Sequence, residues 1–136
     1  MKFLLDTNIC IYLMNHHSVQ VAEHFKRVRP GDVVMSIVTY AELWAGVERC
    51  IGEPRRQAEA SIIQLKRRVS LLPFDEAAAQ AYGVLRAAVP DRRRNAFDRL
   101  IAAHALSRNI TLVTNNEGDF KDYPGLKLEN WVASHP

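Results

Sequence analysis

The sequence predicts an α/β domain with a small, mostly parallel sheet flanked by helices in three layers, and three observations carry that expectation. Four short apolar runs, at 3–5, 33–37, 69–72 and 110–113, show no helical alternation, as strands buried on both faces do. Stretches with helical spacing of apolar residues fill the intervals between them. Acidic or amide residues gather just beyond three of the four runs. Strands alternating with helices argue a parallel sheet covered on both faces, and helix outweighs strand.

Phe3, Leu4 and Leu5 form the first strand, which Asp6 ends abruptly. Thr7 and Asn8 lead into a helix to about residue 15, with Ile9, Tyr12 and Leu13 on one face. Ser18 caps a second amphipathic helix running through Val21, Phe25 and Val28, and Arg29-Pro30-Gly31-Asp32 is a turn by composition. After the second strand, Thr39-Tyr40-Ala41-Glu42 opens a helix that carries Leu43, Trp44 and Val47, with Gly52 and Pro54 as its stop. A longer helix over 55–68 turns Ile62, Ile63 and Leu65 inward and its basic residues outward.

Asp75 caps an Ala-rich helix that ends near Val89-Pro90. A charged loop at 91–94 and Asn95-Ala96-Phe97-Asp98 precede a strongly apolar helix, which Asn109 ends. Leu126-Lys127-Leu128 is a short fifth strand after the loop at 114–120. No internal repeat, low-complexity segment or linker interrupts the chain, so one domain over 1–136 is expected.

With 48% hydrophobic and 24% charged residues, the composition is that of an ordinary globular protein. A formal charge of +3 suits a polyanionic partner without establishing one. Cys10 and Cys50 sit in apolar helical patterns without metal-ligand spacing, and read as reduced core thiols. Asp6 interrupts the first apolar run too early for a secretory signal. No run approaches the roughly 18 apolar residues of a membrane span. A soluble, cytoplasmic protein with no membrane association is the expectation.

Asp6, Glu42, Asp98 and the Asn116/Asp119 pair all lie just past a strand or in the first turn of a helix. Taken singly, each has a structural explanation. Thr39-x-x-Glu42 has the form of a capping box, Asn95-x-x-Asp98 puts an acid where the helix dipole favours it, and Asp6 can cap the first helix. Taken together, they point to a shared site, since the strand ends of a parallel sheet share one edge. Ligands of open α/β sheets bind at that edge, and several of these carboxylates are expected to converge there. Carboxylates gathered there repel unless a cation neutralises them, and an all-oxygen set suits Mg²⁺ or Mn²⁺. Such a centre supports phosphodiester hydrolysis.

Four segments, taken in order, carry a family resemblance: Leu4-Leu5-Asp6-Thr7-Asn8, Ser36-x-x-Thr39-x-x-Glu42-Leu43, Phe97-Asp98-x-x-Ile101-Ala102-Ala103-His104-Ala105 and Leu112-Val113-Thr114-Asn115-Asn116-x-x-Asp119-Phe120. The chain resembles a PIN domain, and specifically the VapC toxins of bacterial toxin–antitoxin pairs; Pro124-Gly125-Leu126 and Glu129-Asn130-Trp131 also look like that family's ending. The resemblance implies a Mg²⁺-dependent endoribonuclease of structured RNA, with initiator tRNA cut in its anticodon stem-loop as one such target. It implies Asp6 and Asp98 as principal metal ligands and Glu42 as a ligand or the group that orients the attacking water. Asp119 is the choice for the fourth catalytic acid, held by Thr114, with Asn116 a neutral donor behind it and Asn8 another. A VapB-type antitoxin and a homodimer follow from the same resemblance. The chain departs from the family's Gly- and Pro-containing loop before the third acid, having Val89-Pro90-Asp91-Arg92-Arg93-Arg94 instead.

Arg92, Arg93 and Arg94, just ahead of Asp98, are candidate phosphate contacts, against a solvated loop as the alternative. Arg55, Arg56, Lys66, Arg67 and Arg68 read as a solvated helix face. The five histidines show no ligand spacing and read as surface or helix-packing residues. Two other functions compete. An aspartyl-phosphate enzyme with Asp6 as nucleophile lacks its usual second aspartate, because position 8 is Asn8. A non-catalytic RNA- or protein-binding module remains if metal-dependent turnover is absent.

Overall fold

The computed structural model of the protein describes residues 1–90 and 95–132. Five strands form one sheet in the order β3-β2-β1-β4-β5: β1 (Phe3–Leu5), β2 (Val33–Ser36), β3 (Ser70–Leu72), β4 (Thr111–Val113) and β5 (Leu128–Glu129). Every pairing is parallel, with Leu4 opposite Val34 on one side and Leu112 on the other. The expected mostly parallel sheet is therefore wholly parallel among the described residues.

Side-chain alternation along these strands sorts the core into two layers. Leu5, Val33, Met35 and Val113 face one cluster, which includes Ile9 and Leu13 of α1 (Thr7–Asn15), Val21 and Phe25 of α2 (Val19–Arg27), Leu43 and Val47 of α3 (Ile37–Glu48), and Ile62 and Leu65 of α4 (Gly52–Arg68). Leu4, Val34 and Leu112 face the other, formed with α5 (Glu76–Ala88), α6 (Ala96–Arg108) and Phe120 of the short α7 (Glu117–Phe120). Both faces are covered, which is why the strands read as unbroken apolar runs.

Several boundaries follow from capping chemistry. Asp6, Ser18, Asp75 and Asn95 accept backbone N–H bonds at the starts of α1, α2, α5 and α6. Asn109 ends α6 in the left-handed region at φ 53°. The start of α3 differs from the expectation. Ser36, not Thr39, is its cap, accepting from the Val38 amide at 3.0 Å. The Thr39–Glu42 capping box therefore does not form, because the helix has already begun and Glu42 lies beyond its first turn. Gly52 and Pro54, expected to stop α3, open α4 instead; Pro is tolerated in a first turn because its missing N–H has no intrahelical partner to lose there. The helix α7 was not anticipated from the sequence.

The sheet order places the site. From β1 the chain moves by way of α1 and α2 to β2, then onward to β3. It then returns past β1 to β4 on the opposite side. Crossovers on the two sides of β1 leave a crevice at the carboxyl ends of β1 and β4, the usual binding position in open α/β sheets.

Candidate active site

That crevice opens into a polar cleft of about 690 Å³ lined by Asp6, Thr7, Asn8, Glu42, Asn95, Asp98, Asn116, Gly118, Asp119, Phe120 and Tyr123. All four carboxylates singled out from the sequence border it, together with both flanking amides, Asn8 and Asn116. The sheet delivers Asp6 directly from β1; α3, α6 and α7 bring the others.

Asp6 is 5% exposed and performs two tasks at once. Its Oδ1 accepts from the Ile9 amide at 2.9 Å, capping α1, while the Thr114 hydroxyl also hydrogen-bonds to its carboxylate. Burial pushes its pKa up from 3.8 to about 6, and the neighbouring Glu42 charge adds to the rise against the lowering effect of those hydrogen bonds. Capping and cleft are thus one arrangement at this residue.

Asp98 sits in the first turn of α6, where Asn95 caps the helix through the Phe97 amide at 2.9 Å. Its pKa rises from 3.8 to about 6, first through burial, then through the charges of Asp119, Asp6 and Glu42 in that order. Among the neighbouring carboxylates, Asp119 raises Asp98 most. Asn116 lines the same cleft, and its backbone N–H donates to Thr114 Oγ1 at 3.0 Å. Thr114, fully buried, thereby joins the loop after β4 to Asp6. Glu42 is held from the side: Thr7 Oγ1 donates to its Oε1 at 2.7 Å.

The donor set is entirely oxygen, and Asp6 and Asp98 are driven toward protonation by burial and by the carboxylates around them. Added positive charge relieves that repulsion. Among the described residues no three such groups stand as a preassembled cage. Mg²⁺ needs none, since it is held by one or two carboxylates and keeps several waters. The residues fit a hard divalent cation.

Arg92, Arg93 and Arg94 lie outside the described residues. Arg55 pairs with Glu48 at 2.7 Å and Glu59 at 3.0 Å, and Arg56 with Glu53 at 2.8 Å, as a solvated helix face would. Tyr40 and Trp44 meet edge to face at 6.1 Å and pack against the core. Leu13 is core, and Tyr12 accepts a hydrogen bond from Asn115 Nδ2 at 2.9 Å. Cys10 is a buried free thiol whose pKa burial raises; Cys50 is free and only half-buried. Arg99, 3% exposed and adjacent to Asp98, escaped sequence reasoning, although a charge at the head of an apolar helix was a signal. His104 belongs with the helix-packing histidines but is 1% exposed and hydrogen-bonded through both ring nitrogens.

Comparison with known proteins identifies the family to which this fold belongs. The family model of the PIN domain matches residues 3–126. A Shigella flexneri protein named tRNA(fMet)-specific endonuclease VapC is 38% identical over 133 residues, spanning 96% of this chain and 98% of that relative. The structure of VapBC-1 from nontypeable Haemophilus influenzae superposes with a TM-score of 0.86 at 34% identity, covering 98% of this chain and 100% of that one. VapBC2 from Rickettsia felis, bound to a DNA fragment from its promoter, superposes equally well, with a TM-score of 0.86 at 32% identity over 96% of this chain and 99% of that one. No helix among the described residues is long and apolar enough to cross a membrane. The parallel fold, its acid-lined switch point and these matches together show that the chain belongs to the PIN-domain family and, within it, to the VapC ribonucleases.

Proposed function

We propose that this chain is the toxin of a type II toxin–antitoxin pair, a cytoplasmic Mg²⁺-dependent endoribonuclease acting as one PIN-like unit over 1–136. The observation that carries the reading is the convergence of Asp6, Glu42, Asp98 and Asp119 on one open cleft, with Asp6 and Asp98 both raised to about 6. Carboxylates that repel at a ligand-binding edge need a cation before a phosphodiester can approach them. PIN-domain nucleases as a family depend on divalent metal; Mg²⁺ is the proposal here, with Mn²⁺ able to replace it.

Asp6 and Asp98 would hold the ion, with Glu42 a further ligand or the group that orients the attacking water. A Mg²⁺ ion bound there would supply Lewis-acid polarisation of the scissile phosphate and a stronger water nucleophile at neutral pH. Glu42, steadied by Thr7, orients the attacking water and takes up its proton. Asp119 strengthens the negative field on Asp98 and hence its hold on the cation. Thr114 fixes the Asp6 carboxylate, while Asn8 and Asn116 supply neutral donors at the cleft wall. Arg92, Arg93 and Arg94 contact phosphates flanking the cut.

The substrate is structured RNA. The Shigella relative's name points to initiator tRNA, which we propose for this chain also, and the VapBC structures point to a VapB-type antitoxin as partner. A homodimer accompanies this reading. The test is cleavage of total tRNA by antitoxin-free protein, wild type beside Asp6→Ala, with Mg²⁺ and then with EDTA. Mg²⁺-dependent fragments with 5′-phosphate ends, absent in the variant, are expected. Cyclic-phosphate ends that survive EDTA would overturn the proposed site. Folded, metal-loaded protein that cuts no RNA would leave the binding module as the reading.

A further inference from the structure

A second polar constellation lies outside the cleft, buried between the helices that carry two of its acids. His104 of α6 stands with Nδ1 at 2.8 Å from Ser36 Oγ and Nε2 at 3.0 Å from the Pro73 carbonyl oxygen. Ser36 is fully buried, and the Phe74 ring closes over the imidazole edge to face at 5.1 Å.

The partners dictate the direction of every bond. A carbonyl oxygen only accepts, so Nε2 carries the hydrogen and donates to Pro73. In the neutral ring Nδ1 is then a lone pair, and the Ser36 hydroxyl must donate to it. The same hydroxyl oxygen accepts from the Val38 amide at 3.0 Å, as the cap of α3. Burial is the main influence lowering the His104 pKa. Arg108 lowers it further, whereas the Pro73 carbonyl and Asp75 act the other way; the net shift keeps the ring neutral and this pattern set.

Ser36 is therefore used twice, accepting to start α3 and donating to hold its place against α6. The first helix bears Glu42 and the second bears Asp98. A cap alone needs only an oxygen. Here the hydroxyl's one hydrogen is committed to a residue on another helix, which fixes the origin of α3 relative to α6.

We propose that His104 is a positioning residue: through Ser36 it sets the start of α3, and with it the Glu42 carboxylate, against the helix that carries Asp98. The inference rests on the acid-cleft reading but concerns residues that touch neither substrate nor ion.

The test compares His104→Phe, Ser36→Ala, their double variant, and His104→Asn, whose side-chain oxygen can stand near the level of Nδ1 and accept from Ser36. RNA cleavage gives kcat and KM. Mn²⁺ titration of the same folded proteins gives a readout independent of turnover. Each of the first two changes is expected to lower kcat about tenfold with KM within about twofold, because the acids are displaced relative to one another. The double variant should be no worse than the poorer single, and His104→Asn should recover most of the loss. Mn²⁺ binding should weaken in the same order.

Additive losses, wild-type kcat in the folded variants, or no rescue by asparagine would overturn the proposal. Should His104→Phe not fold, Ser36→Ala and His104→Asn decide it alone: a loss in the first with little in the second supports the inference, and equal behaviour overturns it. Normal cleavage and Mn²⁺ binding by every variant would sink this inference and leave the nuclease reading standing. A wild type that neither cuts RNA nor binds Mn²⁺ would sink both.

Discussion

Thr7 and Glu42 meet across the cleft, the Thr7 hydroxyl donating to Glu42 Oε1 at 2.7 Å. One residue opens α1 beside Asp6, and the other lies on α3, so the bond ties the carboxylate to the strand end that delivers Asp6. Thr7 also lies 3.2 Å from the hydroxyl of buried Thr39. The rotamer of Glu42 is thus fixed from outside its own helix.

Thr7→Val keeps the shape and removes the donor. Cleavage should fall by about tenfold in kcat with KM for RNA little changed, since orientation rather than substrate binding is lost. Melting should shift by no more than about 1 kcal/mol of stability. Steady-state kinetics beside a thermal melt check this, and a rise in KM at constant kcat would assign Thr7 to substrate binding.

Asp98→Asn should stabilise the metal-free protein at neutral pH. The folded carboxyl titrates near 6 against an ordinary value of 3.8, so the native state holds its proton more tightly than the unfolded chain. Its contribution to stability is full below about pH 4, is lost as pH rises through about 6, and is constant beyond. The gain of the variant over wild type should appear across that window and level off at about 1 kcal/mol, allowing for the screening of a half-exposed group. Melting curves in EDTA from pH 4 to 8 give the comparison; a variant that melts lower throughout refutes it.

Divalent metal should reverse that order. Mg²⁺ or Mn²⁺ at about 100 times its Kd should add about 2.7 kcal/mol to wild type and almost nothing to Asp6→Ala or Asp98→Ala. Binding near pH 6 should release protons from Asp6 and Asp98, and the release should vanish by about pH 8. Calorimetry in buffers of differing ionisation enthalpy measures the proton count. Equal metal stabilisation in all three proteins would place the ion elsewhere.

Ser18→Ala provides a contrast far from the acids. Its hydroxyl caps α2 by accepting from the Val21 amide at 3.2 Å, and removing it should cost about 1 kcal/mol, with kcat unchanged at a temperature where the protein is folded. A loss of turnover here would show that the cleft responds to general loosening, and would weaken every kinetic assignment above.

Much of the molecule was legible in the linear chain because its signals are local. The apolar runs of β1, β2 and β4, the caps Asp6, Ser18 and Asp75, and the stop at Asn109 each depend on neighbours within a turn or two. Failures arose where two local signals competed. Thr39 and Glu42 have capping-box spacing, but Ser36 three residues earlier reaches the Val38 amide and starts the helix first. Gly52 and Pro54 have the composition of a helix stop, but proline is tolerated equally in a first turn, and the two open α4.

By itself the sequence determined a parallel α/β chain with acids behind its strands, since strand burial and helix capping are written in short-range pattern. Only the tertiary structure decided which of those acids share a cleft. The order β3-β2-β1-β4-β5 puts β4 beside β1 and brings Asp6, Glu42, Asp98 and Asp119 to one edge. The same packing raises Asp6 and Asp98 to about 6, gives Thr7 to Glu42, and buries His104 against Ser36. Desolvation and hydrogen bonding depend on what lies across space, and no spacing along the chain encodes that for residues so far apart in it.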